Sequence, residues 1–280
     1  MKPAVFRYER PGTIEEALGC LADLGDEAKV LAGGQSLVPM MNFRLARPEV
    51  IVDIGRVPGL DQIHQSSEIV GIGARVRHQT LLGRLFGGPL DDLLSNAGRH
   101  IGHLPIRVRG TFGGSIAHAD PVAEWCLVAL VLDAEVVVRS VRGERTIDIS
   151  DLFEMSFTTT IAEDELMTEV RLPALSAEWS TGFSEFSRRT GDFAIVAIAS
   201  AVRLENGVVT EARIAAGGVA GTPIRLPGAE AALVGRPLDA ECIHEAGATA
   251  AIEVDPRADI HGSSSYRREL VAALTRRALR

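Results

Sequence analysis

At 280 residues with 46% hydrophobic side chains, the chain can bury a large core in roughly two or three modest lobes, which excludes a disordered scaffold. A formal net charge of −8 and an isoelectric point near 5.4 argue against binding nucleic acid or a membrane surface through charge, because phosphate contacts draw on a basic face. The basic residues are scattered until YRREL and LTRRALR near the C-terminus, which read as solvated helix faces.

In chain order, TIEEALGCLADLG places Ile14, Ala17, Leu18, Leu21 and Leu24 at helical spacing, and Thr13 with Glu16 fits a capping box. AKVLA follows as a strand, then a glycine pair, a short helical LVPMMNFRLA, and VIVDI (50–54) as a second strand, together a small βαβ-like unit. EIVGIGARV (68–76) reads as a strand. Thr80 is a candidate N-cap leading into helical segments around LLGRLF and LDDLLSNAG. VAEWCLVALVLDA is a buried helix, AEVVVRSVRGERTIDIS a hairpin with Arg142 and Gly143 at its turn, and LMTEVRLP a closing strand, with ALSAEWS after Pro173 as a boundary. Beyond it, Asn206 and Gly207 between two alternating runs signal a tight hairpin, and helices follow at 229–234, 240–252 and 264–279. The expected division is 1–57, 58–174 and 175–280.

Cys20, Cys126 and Cys242 are dispersed, with no paired spacing, so they read as core cysteines of a reducing compartment. MKPAVFRYERPGT turns polar too soon for a secretory leader, and the longest apolar run, WCLVALVL (125–132), is too short to cross a bilayer. A soluble cytoplasmic protein with no membrane span and no nucleic-acid partner is expected.

Two stretches carry the chemistry. LAGGQSLVPM has bare backbone between a strand and a helix, and RGTFGGSIAHADPVAEW repeats the pattern of paired glycines before a small hydroxyl residue. Thr111, Gly113, Gly114 and Ser115 offer backbone N–H groups and hydroxyls to a phosphate, and two such loops facing each other would hold a diphosphate. Neither matches GxGxxG or GxxxxGK[ST]. Asp120 is either a receptor for sugar hydroxyls or an N-cap before Pro121. His100, His103 and His118 crowd the second stretch but lack a paired carboxylate and metal-ligand spacing, so no metal site and no nucleophile–base pair is expected.

AGGQSLVPMMNFRLARP together with TFGGSIAHADPVAE closely resembles the FAD-binding stretches of the medium subunit of molybdenum hydroxylases, the xanthine dehydrogenase and aerobic carbon monoxide dehydrogenase family. SRRTGDFAIVAIA, AAGGVAGTPIRLPGAEAAL and SSSYRRELVAALTRRAL extend the resemblance over essentially the whole chain. It implies an α+β protein: a PCMH-type (vanillyl-alcohol-oxidase-like) FAD-binding fold of two subdomains, then a C-terminal α+β domain like that of CO dehydrogenase flavoproteins. It implies FAD, with Ala32, Gly33, Gly34, Gln35, Ser36 and Leu37 as one pyrophosphate loop and Thr111, Phe112, Gly113, Gly114 and Ser115 as the other; noncovalent binding is expected because Gln35, not a histidine or cysteine, stands at the centre of the first loop. Asp120 would hold sugar hydroxyls, with Ile101, Leu166 and Phe193 beside the flavin. Gln35 stands where many relatives have histidine, Phe193 where others have tyrosine, and Ser184 where some have lysine. Three cysteines cannot supply the four thiolates of the extra cluster some relatives carry. The implied oxidoreductase is an electron-transfer subunit. It would sit with a molybdopterin-binding large subunit and a [2Fe–2S] small subunit, in a dimer of heterotrimers, passing electrons to an external acceptor. The alternative is a self-sufficient FAD oxidase or dehydrogenase of the same fold.

Overall fold

The computed structural model describes residues 2–280. Its first lobe is built of β1 (Arg7–Glu9), α1 (Ile14–Leu24), β2 (Ala28–Leu31), α2 (Leu37–Asn42) and β3 (Val50–Asp53). The strands form a parallel sheet in the order β1-β3-β2, the expected βαβ-like unit with one strand more than the sequence announces. β1 lies in a polar segment and owes its place to pairing with β3 rather than to local preference. Half of the expected capping box forms, with Thr13 Oγ1 accepting from the Glu16 N–H at 3.1 Å; Glu16 Oε2 reaches one residue further back and accepts from the Gly12 N–H at 2.6 Å. Ala17, Leu18 and Leu21 then point at Val52, Ile54 and Leu60.

The second lobe runs through β4 (Ile63–Gln65), β5 (Ile69–Gly73), α3 (His78–Leu81), α4 (Gly88–Gly98), α5 (Leu104–Arg107), α6 (Phe112–His118) and α7 (Glu124–Val131). It continues with β6 (Glu135–Ser140), β7 (Gly143–Asp148), α8 (Ile149–Leu152), β8 (Phe153–Met155), β9 (Thr158–Thr159) and β10 (Leu166–Pro173). An antiparallel sheet in the order β4-β5-β10-β6-β7 is its floor. Four local expectations are corrected here. Thr80 lies inside α3, which Arg77 precedes, and of LLGRLF only Leu81 is helical: Gly83 ends the turn and Arg84 takes a positive φ of 55°. The β6–β7 turn is centred on Val141 and Arg142, since Ser140 already pairs with Gly143. The second glycine pair lies within the first turn of α6 rather than in a loop, because Thr111 caps that helix.

The third lobe contains β11 (Trp179–Phe186), β12 (Val196–Glu205), β13 (Val208–Gly217), β14 (Ile224–Arg225), α9 (Pro227–Leu233), α10 (Ala240–Glu253) and α11 (Ser264–Ala278). β12 and β13 meet at the Asn206-Gly207 turn, both residues at positive φ, as the dipeptide demands. β11 begins at Trp179, inside the stretch read as a boundary; its Ser, Thr, Gly and Glu content hides it. The alternation of β12 explains how the lobes join. Ala197, Ala199 and Ala201 face the second lobe's core, while Val196, Ile198 and Val202 face α9–α11. The small side chains let α7 pack close against the sheet, and α7 is accordingly apolar all round from Trp125 to Val131.

The C-terminal arginines are not all solvated. Arg267 is buried, donating to the carbonyls of Ile195 (2.5 Å) and Gly218 (2.9 Å) and pairing with Asp259 at 2.7 Å, which ties α11 to the ends of β12 and β13. No helix among the described residues is long and apolar enough to cross a membrane.

Candidate functional site

A cleft of about 580 Å³ opens where the β2–α2 loop meets the start of α6. Ala32, Gly33, Gly34, Gln35, Ser36, Leu37, Ile101, Thr111, Gly113, Gly114, Ser115, Asp120, Leu166 and Phe193 all line it. Phe112 does not. Helical periodicity turns it inward, fully buried and edge-on to Trp125 at 5.3 Å between ring centroids.

The two glycine stretches do different work. In the first, the N–H groups of Gly33, Gly34, Gln35, Ser36 and Leu37 meet no acceptor among the described residues; hydrogen bonding resumes at Val38, whose N–H donates to the Gly34 carbonyl at 3.2 Å. Gly34, which lines the cleft, holds a φ of 70°, the left-handed conformation from which nests of successive amides are built. The Gln35 side chain folds back to donate to the Gly33 carbonyl at 3.1 Å, so it fastens the loop.

In the second stretch the amides are already used. Phe112 N–H donates to Val76, Gly113 N–H to Ala74, Gly114 N–H to Thr111 Oγ1 and Ser115 N–H to the Thr111 carbonyl. This corrects the expectation that Gly113 and Gly114 offer free N–H groups; what remains for a ligand is the hydroxyl of Ser115 and the free O–H hydrogen of Thr111.

Why these glycines are bare also differs from expectation. A Cβ on Gly33 would fall 2.5 Å from the Arg109 carbonyl oxygen and 2.7 Å from Gly110 Cα; one on Gly113 would fall 2.6 Å from Ala74 Cα. The backbone that approaches is the protein's own: Gly33 brings the two arms of the cleft together, and Gly113 lets α6 press on Ala74 at the end of β5.

Asp120 lines the cleft without capping α7, whose cap position is Ala123. One carboxylate oxygen accepts from the Val122 N–H at 3.0 Å, leaving the other free to accept from a hydroxyl. Burial raises its pKa, against the opposing pull of that N–H and of His118. Burial likewise lowers the pKa of His118, whose ring lies 5.1 Å from Phe157. Ile101 and Leu166 form apolar walls, and Phe193 stands 77% exposed at the mouth on the segment between β11 and β12.

Reasoning from sequence missed Glu124, His78, Lys29 and Phe157, all on the cleft wall. Glu124 opens α7, and a charge at the head of so apolar a helix was the available signal. Burial, then the neighbouring Glu185 charge, push its carboxyl up to about 8. Glu185 is itself nearly inaccessible, with Oε2 unpartnered and Oε1 3.2 Å from His100 Nδ1. His100 therefore does have a carboxylate partner, contrary to expectation, supplied by a strand far away in sequence. Among the described residues no group of His, Cys, Asp and Glu side chains is arranged to hold a metal.

Comparison with known proteins places this geometry. Residues 4–175 match the FAD binding domain in molybdopterin dehydrogenase, and residues 181–280 match the CO dehydrogenase flavoprotein C-terminal domain. The chain is 44% identical to the 6-hydroxypseudooxynicotine dehydrogenase complex subunit alpha of Paenarthrobacter nicotinovorans, over 100% of this chain and 95% of that one. It is 40% identical to the nicotine 6-hydroxylase medium subunit of the same organism, over 100% and 98%. A solved carbon monoxide dehydrogenase from Hydrogenophaga pseudoflava superposes with a TM-score of 0.94 at 35% identity, over 100% of this chain and 97% of that one. The free amides, the glycine-mediated apposition and the cleft fit a dinucleotide, and the chain belongs to the family of FAD-binding medium subunits of molybdenum hydroxylases, oxidoreductases with a PCMH-type FAD domain followed by a CO dehydrogenase flavoprotein C-terminal domain.

Proposed function

We propose that this chain holds FAD noncovalently in the cleft and relays electrons from [2Fe–2S] clusters on a small partner subunit to an external acceptor. A molybdopterin-bearing large subunit would oxidise the substrate, within a dimer of heterotrimers. The observation that carries the reading is the run of unpartnered amides from Gly33 to Leu37, on the same cleft that Thr111 and Ser115 line. These groups would bind the diphosphate, Asp120 would accept from sugar hydroxyls, and Ile101 and Leu166 would exclude water from the ring, with Phe193 at the open edge. Bound FAD supplies the capacity to take up and release electrons; the protein positions it and leaves one edge accessible. The proposed subdivision into 1–57, 58–174 and 175–280 is supported by the separate membership of the three large sheets.

Solved neighbours of near-equal similarity include both a carbon monoxide dehydrogenase and a quinoline 2-oxidoreductase. The substrate, whether carbon monoxide, an N-heterocycle, a purine or an aldehyde, is then chosen on the large subunit.

One feature favours the self-sufficient oxidase instead: the Glu124 carboxyl, pushed up to about 8 by burial and the Glu185 charge, lies on the cleft wall where such an enzyme would need an acid–base group. The two readings separate in one experiment. The purified chain should carry yellow flavin that acid precipitation releases to the supernatant, and substrate-driven dye reduction should appear only when molybdenum and iron–sulfur partners are added. Turnover by the isolated chain overturns the relay; flavin retained in the acid pellet overturns noncovalent binding.

A further inference from the structure

His78 is a buried histidine that the proposed relay does not use. Its Nδ1 accepts a hydrogen bond from the indole N–H of Trp125 at 2.8 Å. An indole nitrogen is a donor only, so Nδ1 carries no proton. The ring is buried against Trp125, and burial, then the neighbouring Arg77 and Arg107 charges, lower its pKa to about 4. A neutral imidazole with an unprotonated Nδ1 has its proton on Nε2. Nε2 meets no acceptor among the described residues, yet His78 lines the cleft.

Its place there is set by backbone. The His78 N–H donates to the Gly110 carbonyl at 3.1 Å, and a Cβ on Gly110 would come 2.4 Å from Nε2. Gly110 Cα is in turn what a Cβ on Gly33 would strike, at 2.7 Å. The imidazole edge therefore packs on Gly110, the residue that Gly33 of the first arm also abuts, and lines the same cleft as the unpartnered amides.

We propose that His78 is a neutral hydrogen-bond donor built into the wall of this cleft, its Nε2–H serving an anionic diphosphate oxygen, with Trp125 as the residue that fixes its tautomer. The assignment rests on the FAD reading above. It adds a neutral ring N–H to the amides, hydroxyls and Lys29 ammonium that the cleft otherwise offers, and it makes the Trp125 indole a positioning group rather than mere core.

The test uses the full chain stripped of flavin, with FAD, ADP and riboflavin as probes. Histidine nitrogen NMR of the wild-type chain should show His78 as the Nε2–H tautomer, with that resonance shifting on addition of ADP. His78→Gln, which can accept from Trp125 and still donate, should bind FAD and ADP within about threefold of wild type. His78→Phe should bind both about ten- to a hundredfold more weakly, the usual range for a hydrogen bond to a charged group, with riboflavin binding unchanged. An Nδ1–H tautomer, an Nε2–H resonance indifferent to ADP, or a His78→Phe chain that binds ADP as wild type does would each overturn the proposal. So would equal weakening of riboflavin, which indicates general distortion. If His78→Phe fails to fold, the tautomer and the ADP-induced shift in the wild type still decide. A wild-type chain that binds neither FAD nor ADP refutes the FAD reading itself, a separate outcome.

Discussion

Replacing Gly33 with alanine is expected to lower FAD affinity by more than about tenfold and to destabilise the flavin-free chain by about 1–3 kcal/mol, the range for overpacking a close contact. Both effects come from one collision. The new methyl would lie 2.5 Å from the Arg109 carbonyl oxygen and 2.7 Å from Gly110 Cα, and neither is a side chain that can rotate away. The first loop must therefore lift off the second, which widens the cleft and moves the free amides of residues 33–37 away from the second arm. Gly34→Ala is a useful contrast. Its cost comes from the positive φ of 70°, about 1–2 kcal/mol, while its nearest neighbours are the Leu31 and Val38 side chains at 3.1 and 3.2 Å, which can shift. Gly19→Ala, in α1 with nothing within 4 Å, should stabilise by up to about 1 kcal/mol and leaves the cleft untouched. Thermal melts of the stripped chain and fluorescence titrations with FAD give both readouts. Gly33→Ala with wild-type melting and wild-type affinity would remove loop apposition from the account.

Glu124→Gln is expected to flatten the pH dependence of stability. The Glu124 carboxyl is held up to about 8, chiefly by burial and then by the Glu185 charge, with Asp120 a smaller contributor, against an ordinary value of 4.5. His100 faces the same group through Glu185, and His118 through Asp120. Because the folded chain binds this proton more tightly than the unfolded chain, the contribution to stability is fully present below pH 4.5 and is lost as pH rises through 8. Each pH unit inside that window costs about 1.4 kcal/mol at most, and water in the cleft reduces the total to about 2–3 kcal/mol. Glutamine keeps the shape and cannot ionise. Urea midpoints at pH 5.5 and at pH 8.5 should therefore converge for Glu124→Gln and stay apart for the wild type. Parallel shifts in the two chains would sink the assignment.

Much of this fold is written in short-range patterns, for a physical reason: caps, periodicity and positive-φ dipeptides are preferences of a few adjacent residues. Thr13 and Glu16 mark the start of α1, Asn206-Gly207 marks the β12–β13 turn, and the apolar run after Glu124 marks a helix buried on every side. The two glycine motifs, read together, identify the family and locate the cleft. What they cannot say is what the missing side chains make room for. Gly33 and Gly113 are bare because Gly110 and Ala74, brought there by the fold, press against them. The same holds for strands without a local signature, since β1 and β11 exist through their partners β3 and β12. Phe112 reads as part of a loop and turns into the core because Thr111 starts a helix beneath it. His100 finds Glu185, and Glu124 is kept protonated, only once β11 is laid against the second lobe. Local dihedral preference is thus legible along the chain, whereas contact, burial and charge state depend on which distant segments meet, and those were decided by the tertiary structure.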